Sequence, residues 1–168
     1  AHEQPIVYPI EGKVVHFEGE LTVVIGKKAR RIARDNALDY VLGYTCGNDV
    51  SERVIQAKEM NMGAMLVGKG FDSFCPLGPI ISTDVDPTNV DVKTRVNGEV
   101  KQDSNTSDLL FSVADLISYI SQATTLLPGD VILTGTPGGV GPITPGDEVE
   151  IELSGIGTLR NPVIKDKS

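Results

Sequence analysis

The stretch Phe17-Glu18-Gly19-Glu20-Leu21-Thr22-Val23-Val24-Ile25-Gly26 places apolar residues at 17, 21, 23 and 25, the period-two alternation of a half-buried β-strand. That period puts Glu18 and Glu20 on one face, about 6 to 7 Å apart at roughly 3.3 Å of rise per residue. Two carboxylates so placed repel each other. Water relieves the repulsion if the face is solvated; otherwise the natural remedy is a hard divalent cation that takes oxygen ligands, Mg²⁺ or Ca²⁺. Charged residues are exposed by default, so the spacing alone also fits the wet side of an edge strand. A cation site would need a third carboxylate, a basic group to balance charge, and a loop able to hold an organic acid.

Each of these has a candidate. Tyr44 to Gln56 reads as a short strand that delivers Asp49 to the mouth of a helix, with Arg53 and Gln56 within two turns of it. Asp49 followed by Glu52 is also the capping-box pattern, under which Asp49 would only satisfy backbone N–H groups. Residues 57–68 carry Met60, Met62 and Met65 with interrupting glycines and read as a pliable loop. Lys69, between Gly68 and Gly70, is a compact positive charge where the backbone can approach closely. It does not belong to a Walker motif, which needs Ser or Thr at the position of Gly70. The glycine-rich run 135–141, with the Thr136 hydroxyl, suits a backbone-lined anion site. A nucleotide role for that run is weak, because its glycines do not follow the Gly-x-Gly-x-x-Gly spacing.

The rest reads as scaffold. Residues 1–12 form an extended lead-in that joins a sheet edge, with His2 an exposed end residue and His16 a cross-strand contact. Lys27 to Arg31 is a solvated basic turn, and Asp35 caps a short helix over 36–41 that Gly43 ends. Val92, Thr94 and Val96 alternate into Asn97-Gly98 and a return strand from Glu99, a strong hairpin signal. Ser112 and Asp115 box the start of a helix through Ile120. Strands follow at Val131 to Thr134 and Val149 to Leu153. In the latter, Glu150 and Glu152 repeat the paired-carboxylate spacing with no partner motif beside them, so they serve as an internal control.

The 168 residues are 40% apolar with a formal net charge of −8. That balance argues against nucleic acid or an anionic membrane as partner, since both demand clustered Lys and Arg. Cys46 and Cys75 show no Cys-x-x-Cys spacing and fit free buried thiols in a reducing compartment, hence a cytoplasmic setting. No apolar run reaches the roughly 18 residues of a membrane span, and no signal peptide is legible.

Five motifs in order carry a resemblance along nearly the whole chain: Phe17-Glu18-Gly19-Glu20-Leu21; Asn48-Asp49-Val50-Ser51 with Arg53 and Gln56; Gly68-Lys69-Gly70-Phe71-Asp72 through Gly78-Pro79; Leu133-Thr134-Gly135-Thr136-Pro137; and Gly155-Ile156-Gly157-Thr158-Leu159-Arg160-Asn161. Together the sequence resembles the catalytic domain of the fumarylacetoacetate hydrolase family. The resemblance implies an α+β fold, a β-rich roll of mixed sheets with a few short helices, in one domain over 1–168 and assembled as a homodimer. It implies Glu18, Glu20 and Asp49 as ligands of Mg²⁺, with Ca²⁺ or Mn²⁺ as substitutes, Lys69 as the catalytic lysine, and Arg53, Gln56 and Thr136 as substrate-binding residues. The implied activity is hydrolysis of a C–C bond in a small 2-oxo or β-diketo acid of acylpyruvate or fumarylpyruvate type. The same site would serve a 2-hydroxyhepta-2,4-diene-1,7-dioate isomerase or an oxaloacetate-type decarboxylase, and from another class the chain would be a metal-binding scaffold. One departure stands out. Hydrolytic members carry a His and Glu pair on a lid upstream of the paired glutamates, and neither His2 nor His16 matches it. A smaller departure is Glu52-Arg53-Val54, where many members have Ala-Arg-Asp.

Overall fold

The computed structural model describes residues 1–167. Its strands form three sheets. The first has the order β1 (Ile6–Tyr8), β12 (Gly157–Lys165), β11 (Glu148–Leu153), β7 (Asp91–Val96), β8 (Glu99–Asn105). The second is β10 (Gly141–Pro142), β2 (Val15–Phe17), β5 (Ser51–Glu52), and the third is β6 (Leu77–Ser82), β4 (Val41–Asn48), β3 (Gly19–Ile25), β9 (Val131–Leu133). The lead-in strand β1 joins the edge of the first sheet parallel to β12, Ile6 opposite Val163, while the other pairings are antiparallel. Two α-helices, α1 (Arg53–Asn61) and α2 (Val113–Ala123), complete the α+β, β-rich roll. No helix among the described residues is long and apolar enough to cross a membrane.

The stretch expected as one half-buried strand is two strands and is buried on both faces. β2 ends at Phe17 and pairs with β5 and β10, whereas β3 starts at Gly19 and pairs with β4 and β9. Glu18 lies at the switch between two sheets. Every residue from Phe17 to Ile25 is buried, because β3 packs across β7 and β11 of the first sheet as well as lying inside its own. Leu21, Ile151, Leu153 and Leu159 fill the space between the sheets. The expected solvated face for Glu18 and Glu20 is therefore absent, both being buried.

The hairpin turns at Asn97-Gly98 with Val96 opposite Glu99, both turn residues at positive φ. Ser112 and Asp115 form a complete capping box on α2. Elsewhere the structure corrects the sequence expectations. Asp35 does not cap: the 3₁₀ turn Arg34–Tyr40 begins after Ala33 with no side-chain cap, and Asp35 lies in its first turn. Gly43 does not end a helix but sits inside β4, where a Cβ would come 2.5 Å from the Ser82 carbonyl oxygen. Residues 57–61 continue α1 as helix, so the methionine segment is loop only from Met62 onward. The basic turn is not fully solvated, since Ala29 is buried and Arg30 donates to the Ser121 carbonyl at 2.7 Å and to that of Gln122 at the end of α2. Cys46 and Cys75 are free thiols, and burial pushes Cys46 up to about 12.

Candidate metal centre

Glu18, Glu20 and Asp49 converge from three chain positions. β3 presents Glu20, the β2–β3 switch presents Glu18, and the end of β4 presents Asp49, with Gly19 opposite Asn48 in the ladder. Each contributes a carboxylate oxygen, and these oxygens lie within 4.8 Å of one another. The backbone around Glu18 is held from both sides: its N–H donates to Asn48 Oδ1 at 2.9 Å and its carbonyl accepts from the Asp49 N–H, also at 2.9 Å. Asp49 does not cap α1. That role belongs to Glu52, whose Oε2 accepts from the Ile55 N–H while Oε1 accepts from Lys13 and Val14. The Asp49 carboxylate is therefore left for the site.

Two cations lie on the triad. Arg53 Nη2 donates to Glu18 Oε1 at 2.6 Å and Nη1 to Gln56 Oε1 at 3.0 Å. Lys69 Nζ donates to Glu18 Oε2 at 3.0 Å and to Asp49 Oδ2. Gln56 Nε2 turns outward toward Met65 Sδ at 3.8 Å. The glycine-rich run begins by donating the Gly135 N–H to Glu20 Oε2 at 2.6 Å, so the anion it meets is one of the triad carboxylates. Thr136 Oγ1 donates to the Gly19 carbonyl at 3.0 Å and accepts from Gln102 Nε2 at 2.7 Å, which commits its hydroxyl proton to the backbone between the two glutamates. His16 pairs across to Ser51 and Pro142 beside Arg53 and Glu18.

The electrostatics fit a missing positive charge. With all groups ionised, three carboxylates against one ammonium and one guanidinium leave one net negative charge in a largely buried site. Burial pushes Glu20 up to about 7, with the Gly135 N–H opposing and the charges of Asp49 and Glu18 reinforcing. Burial likewise raises Asp49, against its hydrogen bond and charge pairing with Lys69. For Lys69, burial works downward, but the hydrogen bonds to Asp49 and Glu18 outweigh it and the ammonium keeps its proton. A donor set of close, partly neutralised carboxylate oxygens with no thiolate is the chemistry of a hard divalent cation. The control pair behaves differently: Glu150 is taken up by Arg160 at 2.7 Å and Glu152 by Arg95 at 2.6 Å on the surface. The identical spacing thus meets different surroundings: Glu150 and Glu152 each pair with an arginine on the first sheet, whereas Glu18 and Glu20 are buried and converge with Asp49 under Lys69 and Arg53.

Three residues of this neighbourhood escaped the sequence reading. Asn48 and Gln102 hold the backbone flanking the glutamates, and Glu59 accepts from the N–H groups of Leu66, Val67 and Gly68 at 3.1, 2.7 and 2.9 Å, fixing the loop that carries Lys69. Glu59 had a faint signal, an acid on a helix before a glycine-bearing loop. Gln102, in a strand whose one apolar residue is Val100, had none.

The β-rich roll thus brings together a carboxylate triad that could hold a divalent cation, with a lysine and an arginine upon it. Comparison with known proteins makes the assignment specific. The chain belongs to the fumarylacetoacetate hydrolase family: the model of the fumarylacetoacetate (FAA) hydrolase C-terminal domain matches residues 1–164. A 5-carboxymethyl-2-hydroxymuconate delta-isomerase from Mycobacterium smegmatis superposes with a TM-score of 0.95 at 50% identity, over 99% of this chain and 65% of that one. Fumarylpyruvate hydrolase from Pseudomonas aeruginosa, in complex with Mn²⁺ and pyruvate, superposes at 0.92 with 34% identity, over 98% and 72%. Oxaloacetate tautomerase Fahd2a, mitochondrial, of Rattus norvegicus is 44% identical over 169 aligned residues, 95% of this chain and 53% of the relative. The chain thus spans about half the length of the rat relative and under two thirds of the mycobacterial isomerase.

Proposed function

We propose that the chain catalyses keto–enol isomerisation of a small 2-oxo dicarboxylic acid, with Mg²⁺ or Mn²⁺ held by Glu18, Glu20 and Asp49. The observation that carries this reading is the buried triad with Lys69 and Arg53 directly upon it. A divalent cation held there would supply Lewis-acid polarisation of a substrate keto oxygen, worth several kcal/mol of charge stabilisation. The chain's own residues would bind and orient the acid, while the proton lost from the enol oxygen and the proton gained at the neighbouring carbon are exchanged with water. Glu18, Glu20 and Asp49 present their oxygens from one side, held by the Asn48 amide and the Gly135 N–H. Arg53, braced by Gln56, draws the carboxylate of the incoming anion. Lys69 holds its proton at the centre and offers an N–H to the negative charge that develops on the keto oxygen.

The names of the rat tautomerase and the mycobacterial isomerase, at 44% and 50% identity, support an isomerising outcome. The second reading is hydrolysis of an acylpyruvate- or fumarylpyruvate-type C–C bond, supported by the Pseudomonas neighbour with Mn²⁺ and pyruvate. Both begin with the same held 2-oxo acid, as a decarboxylase would, and differ in whether an activated water or the loss of CO₂ follows. The deciding assay follows the enol absorbance of oxaloacetate with Mg²⁺ or Mn²⁺, against EDTA and Glu20→Gln, while pyruvate release from fumarylpyruvate and from oxaloacetate is measured in parallel. Metal-dependent enol decay without pyruvate supports the isomerase. Pyruvate from fumarylpyruvate moves the assignment to the hydrolase, and metal binding with no turnover of any 2-oxo acid leaves a scaffold.

A further inference from the structure

Gly19 stands between the two glutamates, and both of its backbone polar groups are held by side chains from outside β3. Its N–H donates to Gln102 Oε1 at 3.1 Å, and its carbonyl accepts from Thr136 Oγ1 at 3.0 Å. Gln102 Nε2 closes the ring, donating to the same Thr136 oxygen at 2.7 Å and to the Pro137 carbonyl at 2.9 Å. Position 19 tolerates nothing larger than glycine, since a Cβ would fall 2.2 Å from Thr94 Oγ1 and 3.1 Å from Gln102 Oε1. The loop crosses β8 just as tightly, where a Cβ on Gly139 would lie 2.1 Å from the Lys101 carbonyl oxygen.

Gln102 is 1% exposed and belongs to the opposite sheet. A buried amide is often no more than a satisfied core residue. What sets this one apart is that each of its bonds ends on a group that orients a glutamate: Gly19 lies between Glu18 and Glu20, and Thr136 and Pro137 follow Gly135, whose N–H is on Glu20. Glu18 sits where β2 passes into β3, so the Gly19 peptide sets how the two side chains leave the backbone, and oxygens of the two carboxylates come within 4.8 Å. Lys69 and Arg53 offset the charge of Glu18, while the peptide between the two glutamates is fixed by Gln102 and Thr136.

We infer that Gln102 is a positioning residue for the metal carboxylates, locking the Gly19 peptide and the glycine-rich loop into one unit that sets the approach of Glu18 to Glu20. The inference rests on the cation site of the preceding section. Side chains that orient a ligand from behind change metal affinity by about 10- to 100-fold when removed.

The test measures binding of Mn²⁺ alone by calorimetry, and melting in EDTA, for the parent, Gln102→Met, Thr136→Val, the double variant and Ile151→Val as a packing control beside Gly19. Gln102→Met keeps the volume and removes the hydrogen bonds. The expected result is a loss of about tenfold or more in Mn²⁺ affinity for Gln102→Met and for Thr136→Val, with no further loss in the double variant because both cut the same unit. Ile151→Val lowers the melting temperature and leaves the affinity unchanged. Parent-like affinity in Gln102→Met, or an equal loss in Ile151→Val, overturns the inference while the cation site stands. A parent that binds no Mn²⁺ overturns the cation site and this inference with it. If Gln102→Met does not fold, Thr136→Val decides: its hydroxyl bonds to Gly19 and Gln102, so a tenfold loss for metal alone supports the inference and parent affinity refutes it.

Discussion

Replacing Glu20 by Gln in the metal-free protein should stabilise the fold, and the gain should depend on pH in a defined direction. Glu20 is buried at 3% exposure and its carboxyl is pushed from 4.5 to about 7, chiefly by burial. Between these values the native state binds more protons than the unfolded state. Stability therefore falls as pH rises through that window, and above it the ionised side chain costs about 3 kcal/mol at 1.36 kcal/mol per unit. Gln keeps an acceptor for the Gly135 N–H and carries no charge. In EDTA, Glu20→Gln should exceed the parent by about 3 kcal/mol at pH 8 and by less than about 1 kcal/mol at pH 5. For a chain of this length that is roughly 6 to 12 °C in melting temperature at the higher pH. Saturating Mn²⁺ should reverse the order, since it stabilises only the protein that binds it. Chemical denaturation at both pH values, with and without metal, is the assay. A variant less stable than the parent at pH 8 in EDTA would refute the argument, because it would mean Glu20 ionises in the fold without penalty.

Glu59→Ala should release the loop that carries Lys69 while the triad stays assembled. Turnover should drop by about tenfold or more, on the scale of a misplaced catalytic group, with Mn²⁺ affinity near the parent's; protection of the Leu66 to Gly68 amides by hydrogen exchange reports the cause. Ile151→Ala, between the sheets at 1% exposure, should destabilise by about 2 to 5 kcal/mol in urea titration. Ser112→Ala removes the capping box of α2 and should cost about 1 kcal/mol without any effect on metal binding.

Much of the site was legible in the order of residues. Glu18 and Glu20 were marked by strand periodicity, Asp49 by its place before a helix, and Lys69 by flanking glycines; the structure brings all four into contact. Local rules failed where two segments compete for one role. Asp49 and Glu52 both fit a helix cap, and Glu52 takes it because the Lys13 and Val14 N–H groups reach its carboxylate from a distant segment. Gly43 resembled a helix stop because glycine punctuates many structures, and only the approach of the Ser82 backbone gives it its actual reason. Thr136, expected to face substrate, spends its hydroxyl on Gly19, a partner 117 residues away in sequence.

What the chain determined by itself is therefore local and periodic: the hairpin at Asn97-Gly98, the boxed start of α2, the close spacing of Glu18 and Glu20, and the motifs that mark the family. What only the tertiary structure decided is the meaning of those glutamates. Glu18 and Glu20 share their spacing with Glu150 and Glu152, and the difference is where the strand lies. β11 leaves its pair at the surface, where Arg160 and Arg95 neutralise it. Glu18 at the β2–β3 switch and Glu20 in β3 are buried, meet Asp49, and are held by Gln102 through the Gly19 peptide and by the Gly135 N–H on Glu20. Charge spacing is a property of one segment, but the dielectric and the partners around it are supplied by segments far off in the chain, and these bring a repelling pair together with Asp49, Lys69 and Arg53.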